Sequence, residues 1–204
     1  LDFKTFEESK LDLKFQKTSN DTYLKKNKIK TKIFADEDTL ENSLKLNLYS
    51  NDISINFETT TYESLNKGNS DRYEFILPKI DLVKKVENKT NLKGDFYFKS
   101  QNLIRNYDTN IIEKSNINDL IFSSYPTITK SGFYNNYEFI VKNSNTDSEN
   151  SSNYKEDKNI YLSTLLQYNS TLPLIKEDNK YQKILKPKAS LKLAPLHTKN
   201  QRSN

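Results

Sequence analysis

Side chains that alternate between apolar and polar at a period of two, over many residues, leave a chain little choice but a long strand. Only an extended backbone places every second residue on one face. The stretch Asn159–Pro195 carries that pattern twice. Ile160, Leu162, Thr164, Leu166 and Tyr168 share one face of a first arm, while Tyr161, Ser163, Gln167, Asn169 and Thr171 fall on the other. A polar connection follows, after which Leu185, Pro187, Ala189, Leu191 and Leu193 alternate with Lys186, Lys188, Ser190 and Lys192. The spacing predicts a long β-hairpin with one apolar and one cationic face. Its arms are about twice the mean globular strand of roughly 5–6 residues, and close to the roughly 9–11 tilted residues that cross a bilayer.

The same alternation recurs upstream. Leu11, Leu13 and Phe15 alternate with Asp12, Lys14 and Gln16, and Ser19-Asn20-Asp21 supplies turn chemistry. A return arm is expected over Tyr23–Phe34, with Lys26, Lys28, Lys30 and Lys32 on one face and Ile29 and Ile33 on the other. Leu44, Leu46 and Leu48 lead through Ser50-Asn51-Asp52 into Ile53, Ile55 and Phe57, a second hairpin. Tyr73, Phe75 and Leu77 run up to Pro78, which has no ladder donor and predicts a bulge, a strand end or an edge. Phe96 and Phe98 follow with the same period, then one strand around Ile111–Phe122 and an arm through Phe133, Tyr137, Phe139 and Val141. Asn143–Lys158 is the longest polar run and reads as a loop. The expected fold is all-β, an antiparallel up-and-down meander of roughly ten strands without helix, with its short turns at one end and its long loops at the other.

Composition narrows the setting. Hydrophobic residues make 34% of the chain, charged residues 29% and aromatic residues 12%, and mean hydropathy is −0.87. Such polarity leans toward a heavily solvated chain, yet the aromatics sit inside the alternating runs. A barrel with a wet lumen reconciles the two, because only its outward side chains need be apolar. No apolar stretch approaches the roughly 20 residues of a transmembrane helix. Only a closed barrel could therefore carry this chain across a membrane. The chain begins inside an alternating run and contains no Met. We expect residues 1–204 to be a single partial barrel domain within a longer protein.

Nothing in the sequence assembles a catalytic centre, and no enzyme activity, cofactor or metal is expected. His197, the one histidine, lies in a polar tail without a neighbouring ligand. Asp36, Glu37 and Asp38 lack the alternate spacing, the glycine and the closing glutamate of a calcium loop. Three glycines could hardly build a phosphate-binding loop. Zero cysteines exclude disulfides and thiolate sites within the chain. A net charge of +5, from Lys- and Asn-rich usage, suits coding bias as readily as an acidic partner, and the aromatics alternate along strands rather than cluster beside lysines, so no nucleic acid is expected.

Several of these segments resemble the barrel of a known family. Tyr168, Leu172-Pro173-Leu174, the run Leu185-Lys186-Pro187-Lys188-Ala189-Ser190-Leu191 and Pro195 are similar to the lipopolysaccharide (LPS)-assembly family LptD, also called the organic solvent tolerance (OstA) family. Asp71-Arg72-Tyr73-Glu74 with Leu77-Pro78 and Ile80-Asp81, and the strand Leu92–Ser100, resemble earlier parts of that barrel. The resemblance covers the chain from about residue 40 onward, and its motif residues are Pro78, Pro173, Leu185, Pro187 and Pro195. It implies a non-enzymatic translocon in the cell outer membrane. Such a barrel receives lipopolysaccharide from a periplasmic LPS-transport bridge, holds an LptE-like outer-membrane lipoprotein plug and releases its cargo into the outer leaflet. Lys26, Lys28, Lys30, Lys32, Lys186, Lys188 and Lys192 would then face the lumen, as point charges for glycolipid phosphates. A porin or receptor barrel, and a soluble all-β binding or adhesion module, are the alternatives. The membrane readings require Leu44, Leu46, Leu48, Ile53, Ile55, Phe57, Phe96, Phe98, Ile160, Leu162, Leu166, Leu191 and Leu193 to share one face.

Overall fold

A computed structural model of the chain describes residues 6–28, 36–68, 71–156, 158–178 and 181–195. The strands are β1 (Glu8–Lys14), β2 (Thr39–Ser50), β3 (Ile53–Ser64), β4 (Tyr73–Val86), β5 (Gly94–Tyr107), β6 (Ile111–Ser124), β7 (Thr127–Ile128), β8 (Tyr134–Glu149), β9 (Asn159–Thr171), β10 (Leu174–Glu177), β11 (Gln182–Leu185) and β12 (Lys188–Leu193); one helix, α1, spans Tyr23–Asn27. Ten strands form a single antiparallel sheet in the order β1-β2-β3-β4-β5-β6-β8-β9-β12, with β7 beside β8. β10 and β11 form a separate two-stranded ribbon. The fold is therefore an all-β antiparallel meander, open among the described residues, with β1 and β12 at its edges.

Local chemistry sets where the chain turns. Asn51-Asp52 joins β2 to β3. In the connection from β4 to β5, the Asn88 side chain donates to the carbonyls of Leu92 and Gly94, both at 2.7 Å, and accepts from the Thr90 N–H at 2.9 Å. Such an Asx turn substitutes for backbone pairing where the ladder stops. Asp108 and Thr109 adopt left-handed φ values of 43° and 66° to close the tight turn before β6. Pro78 sits at a bulge, as its missing N–H predicts. Lys79 opposes Glu58 and Leu103 while Ile76 opposes Thr60 and Arg105, so β4 carries one residue more than either neighbour between those pairs.

Two expectations need correction. Tyr23–Phe34 does not form a returning strand: residues 23–27 make the single turn of α1 and Lys28 caps it at φ 48°. Residues 29–35 lie outside the described ones. Leu24 of α1 packs with Leu40 and Leu65 in the buried apolar cluster at this end of the sheet, and burial of that leucine outweighs the alternating lysines. The run from Asn143 is also not a loop at its start, because β8 continues to Glu149. Its polar side chains find partners across the ladder: Asn145 Nδ2 donates to Asn116 Oδ1 at 3.0 Å, and Asp147 pairs with Lys114 at 3.3 Å.

The pairing register assigns a face to every strand residue. Leu46, Phe57, Ile80, Asn102, Asn116, Asn145 and Ile160 lie on one line across the sheet. Extended from that line at a period of two, the face collects all thirteen apolar residues named above. The opposite face carries Glu41, Lys45, Glu58, Lys79, Arg105, Glu113 and Lys142, and we call the two faces apolar and polar. Among the described residues no second sheet covers either one: each strand pairs only with its neighbours in the sheet, and α1 covers one end alone, through Leu24. Five of the thirteen stand open, from Leu166 at 41% to Ile160 at 77%, while most of the others are half-buried and Leu48 and Phe122 on this face are buried; on the polar face Ser43, Thr60, Ser144, Thr146 and Ser148 are buried.

Gly94, the first residue of β5, lies hard against β6. A Cβ there would stand 2.6 Å from Cζ of Phe122 and closer still to the Ser123 carbonyl. The Phe122 ring covers the glycine, an aromatic shielding of a bare backbone. Gly94→Ala should destabilise the sheet by about 1–3 kcal/mol, the usual cost of overpacking. Gly68→Ala, whose Cβ meets nothing within 4 Å, should leave it unchanged. Denaturant unfolding in detergent, followed by tyrosine fluorescence, measures both.

Candidate functional site

The polar face is the surface on which the chain concentrates its chemistry. Across β1–β3 it carries a ladder of alternating charge: Lys14–Glu41 at 2.6 Å, Glu41–Lys45 at 3.8 Å and Lys45–Glu58 at 3.0 Å. Further along, Lys85 stands 3.0 Å from Asp95 and Lys142 stands 2.9 Å from Asp119. Most cations of this face are thus matched by carboxylates on neighbouring strands, an arrangement that solvates charge without building a strong field.

A denser cluster forms at the long-loop end. Arg105 Nε donates to Glu74 at 2.7 Å, and its guanidinium lies 4.1 Å from the centroid of the Tyr107 ring. The Tyr107 hydroxyl donates to Glu113 at 2.9 Å. Glu113, only 4% exposed, also accepts from Ser151 Oγ at 2.6 Å and Asn153 Nδ2 at 2.9 Å. Three donors on one buried carboxylate hold the β8–β9 connection down onto the polar face. Beside this network a cavity of about 500 Å³ is lined by Tyr62, Glu74, Arg105, Tyr107, Lys67 and Arg72, among others. Tyrosine rings next to paired charges suit a hydroxylated ligand held by hydrogen bonds and stacking, rather than a trapped free anion.

The expected lysines are dispersed. Lys188 and Lys192 lie on the polar face of β12, opposite Thr171 and Gln167, and neither forms an ion pair among the described residues. Lys26 lies in α1 and Lys28 at its end, so neither joins a strand face. Lys186 falls in the connection between β11 and β12. Lys30, Lys32 and His197 lie outside the described residues. The motif prolines occupy breaks in pairing. Pro173 and Pro187 separate the β9–β12 pair from the ribbon that Leu185 closes, with the Leu172 N–H donating to the Pro187 carbonyl at 3.1 Å, and Pro195 follows β12. Among the described residues no group of three or more His, Asp or Glu is placed to hold a metal. Arg105, Tyr107 and Glu113 escaped the sequence reading because no local spacing marks residues that meet only across the ladder.

Outside the strands, the β1–β2 connection is tied down by charge. Arg72 holds Asp21 through paired hydrogen bonds of 2.6 and 2.8 Å, and Lys25 reaches Asp38 at 2.6 Å. The hydrogen bond from Arg72 lowers the Asp21 pKa, and that from Lys25 lowers the Asp38 pKa, each from the ordinary 3.8. A carboxyl with a lowered folded pKa contributes fully above its unfolded value and loses that contribution as pH falls through the folded one. Amide exchange over residues 20–28, corrected for intrinsic rate, should thus be slow at neutral pH and accelerate below about pH 4. Glu113→Ala should separately accelerate exchange over residues 150–156, with little change in β2 and β3. No protein-family model matches the chain, and comparison with curated proteins returns no match.

Proposed function

We propose that the chain forms part of an outer-membrane β-barrel that assembles lipopolysaccharide into the outer leaflet, by transport and without catalysis. In this reading the apolar face meets lipid, the polar face lines the lumen, the end that carries the β2–β3 turn lies in the periplasm and the end that carries the β1–β2 and β8–β9 connections lies outside.

The observation that carries the membrane part is the uncovered apolar face together with its stagger. Leu46 is the eighth residue of β2, yet its register line reaches β9 at Ile160, the second residue of that strand. The strands therefore slide along one another by about one residue per step. With about 3.4 Å per residue and about 4.8 Å between strands, that slide corresponds to a tilt of about 35°. Transmembrane barrels tilt by roughly 35–45°. Burial of small polar side chains on the polar face, against open large ones on the apolar face, suits a sheet curled with its polar side inward. The apolar face carries two lysines. Lys114 is neutralised by Asp147 at 3.3 Å, and Lys84 lies near the short-turn end of β4, within reach of an interface by snorkelling.

The lipopolysaccharide part rests on the resemblance of the strand-and-proline segments. It brings with it an LptE-like lipoprotein plug, a periplasmic bridge and the surrounding outer-membrane lipid as partners. Within the polar face, Lys188 and Lys192 are among the cations that form no ion pair among the described residues and so are free to meet glycolipid phosphates.

Single cysteines placed in the full-length protein, in intact outer membranes, test the face assignment. Thiols at Lys45 and Gln167 should react with a water-soluble maleimide, while those at Leu46 and Leu166 should react only after detergent is added. The reverse pattern overturns the membrane reading. Charge reversal of Lys188 and Lys192 should reduce surface lipopolysaccharide at an unchanged level of assembled barrel, and an unaltered surface level counts against the glycolipid role.

A further inference from the structure

The ribbon of β10 and β11 touches no other element among the described residues. All its strand residues are exposed, with Leu174 at 46%, Ile175 at 60%, Ile184 at 53% and Leu185 at 64%. A two-stranded hairpin of this kind is at best marginal in water, so four open aliphatic side chains call for a surface to cover them. The register pairs Leu174 with Leu185 and Lys176 with Lys183. These pairs stand two residues apart and so share one face. Like charges directly opposite one another are destabilising, and neither lysine has an ion pair among the described residues. The other face sets Ile175 opposite Ile184 and Glu177 opposite Gln182, and carries no lysine.

The leucine face therefore offers apolar surface and, side by side, two cations without an ion pair among the described residues, with Asp178 opposite Tyr181 next along the same face. Its complement is apolar matter bordered by anions. We propose that this face rests on an anionic lipid surface, with Leu174 and Leu185 at the acyl boundary and Lys176 and Lys183 on headgroup phosphates. Continuity supports the lipid. The ribbon extends the β9–β12 pair, whose apolar face already presents Leu166, Tyr168, Leu191 and Leu193 to the outside. Leu174 and Leu185 are in phase with Tyr168 and Leu191 along the sequence. Tyrosine at the rim of an apolar band, followed by lysine beyond it, is the order of a membrane interface. The inference rests on the membrane reading above and adds to it a headgroup-binding ribbon at the short-turn end.

The chain contains no tryptophan, so a reporter can be introduced at either place. Full-length protein carrying Leu174→Trp or Leu191→Trp as its sole tryptophan is reconstituted in vesicles of phosphatidylcholine brominated on its acyl chains, with or without phosphatidylglycerol. The Leu191→Trp reporter, on the sheet, should be quenched in both. The Leu174→Trp reporter should be quenched only when phosphatidylglycerol is present, and Lys176→Glu with Lys183→Glu, or high salt, should abolish that quenching. If the sheet reporter is quenched and the ribbon reporter is not, the ribbon proposal falls alone and a protein partner takes its place. Quenching of the ribbon reporter without regard to phosphatidylglycerol or the lysines overturns the headgroup contact. Absence of quenching at both positions removes the membrane reading and the ribbon proposal together.

Discussion

Because, apart from α1 and the β8–β9 connection at one end, nothing in the described chain packs against either face of the sheet, cohesion comes mainly from the ladder and from side chains standing next to one another on each face. Strand neighbours supply hydrogen bonds and cross-strand pairs worth roughly 0.2–1 kcal/mol each. They cannot bury the outer half of a leucine. Each large aliphatic or aromatic side chain withdrawn from water is worth about 1.5–3 kcal/mol, and this sheet leaves part of that stabilisation unrealised along one face, most of all on β1, β9 and β12. An unlayered sheet with one apolar side is thus a surface waiting for a cover, and the cover has to be broad, since the open residues reach from Leu11 on β1 to Leu193 on β12.

The stagger explains a feature that would otherwise conflict with a lipid cover. On β5, β6 and β8 the apolar face bears Asn102, Asn116, Asn118, Asn143 and Asn145, linked to one another by amide hydrogen bonds. Their register line passes through Leu46 and Phe57 on β2 and β3, in the middle of the apolar band there. Strands that tilt carry that line toward the long-loop end as the sheet proceeds. The band itself moves to Phe98, Leu120 and Val141 and then to Phe96, Phe122 and Phe139. On the middle strands the asparagines fall beyond the band, where headgroups or water would meet them, although Ile160 and Leu162 on β9 remain open beside them. A polar ladder that satisfies its own donors and acceptors costs little at such a height.

Faces and hairpins were legible in the sequence because a two-residue period admits one solution: fixing Leu44 outward fixes Leu46 and Leu48. Where the period was incomplete, the reading failed. Over Tyr23–Phe34 the only apolar anchors opposite the lysines are Ile29 and Ile33, four residues apart, a spacing that suits a helix as well as a strand. The observed turn of helix instead buries Leu24. At Asn143–Glu149 the composition speaks for a loop, and the strand persists because Asn116 and Lys114 wait across the ladder. Their contribution appears only once the register is known. The network around Glu113 was invisible for the same reason, since Tyr107 on β5, Glu113 on β6 and the pair Ser151 and Asn153 on the β8–β9 connection come from three separate segments.

Charge on the polar face follows from the same geometry. The lysines inside the sheet are nearly all opposed by acids on adjacent strands, so the face is hydrated and close to neutral, and it does not act as an electrostatic funnel. Cations without an ion pair among the described residues include Lys84 and Lys99 within the sheet and, at one margin, Lys188 and Lys192 on the edge strand β12 and Lys176 and Lys183 on the ribbon below it. An edge strand presents unsatisfied backbone groups, and lysines there discourage pairing with the wrong chain. On β12 they also stand where a further strand would bring its own side chains. An anionic ligand or acidic strand that meets this margin finds four lysines without displacing a carboxylate, whereas at Lys14, Lys45, Lys85, Arg105 and Lys142 it has to displace one already in place.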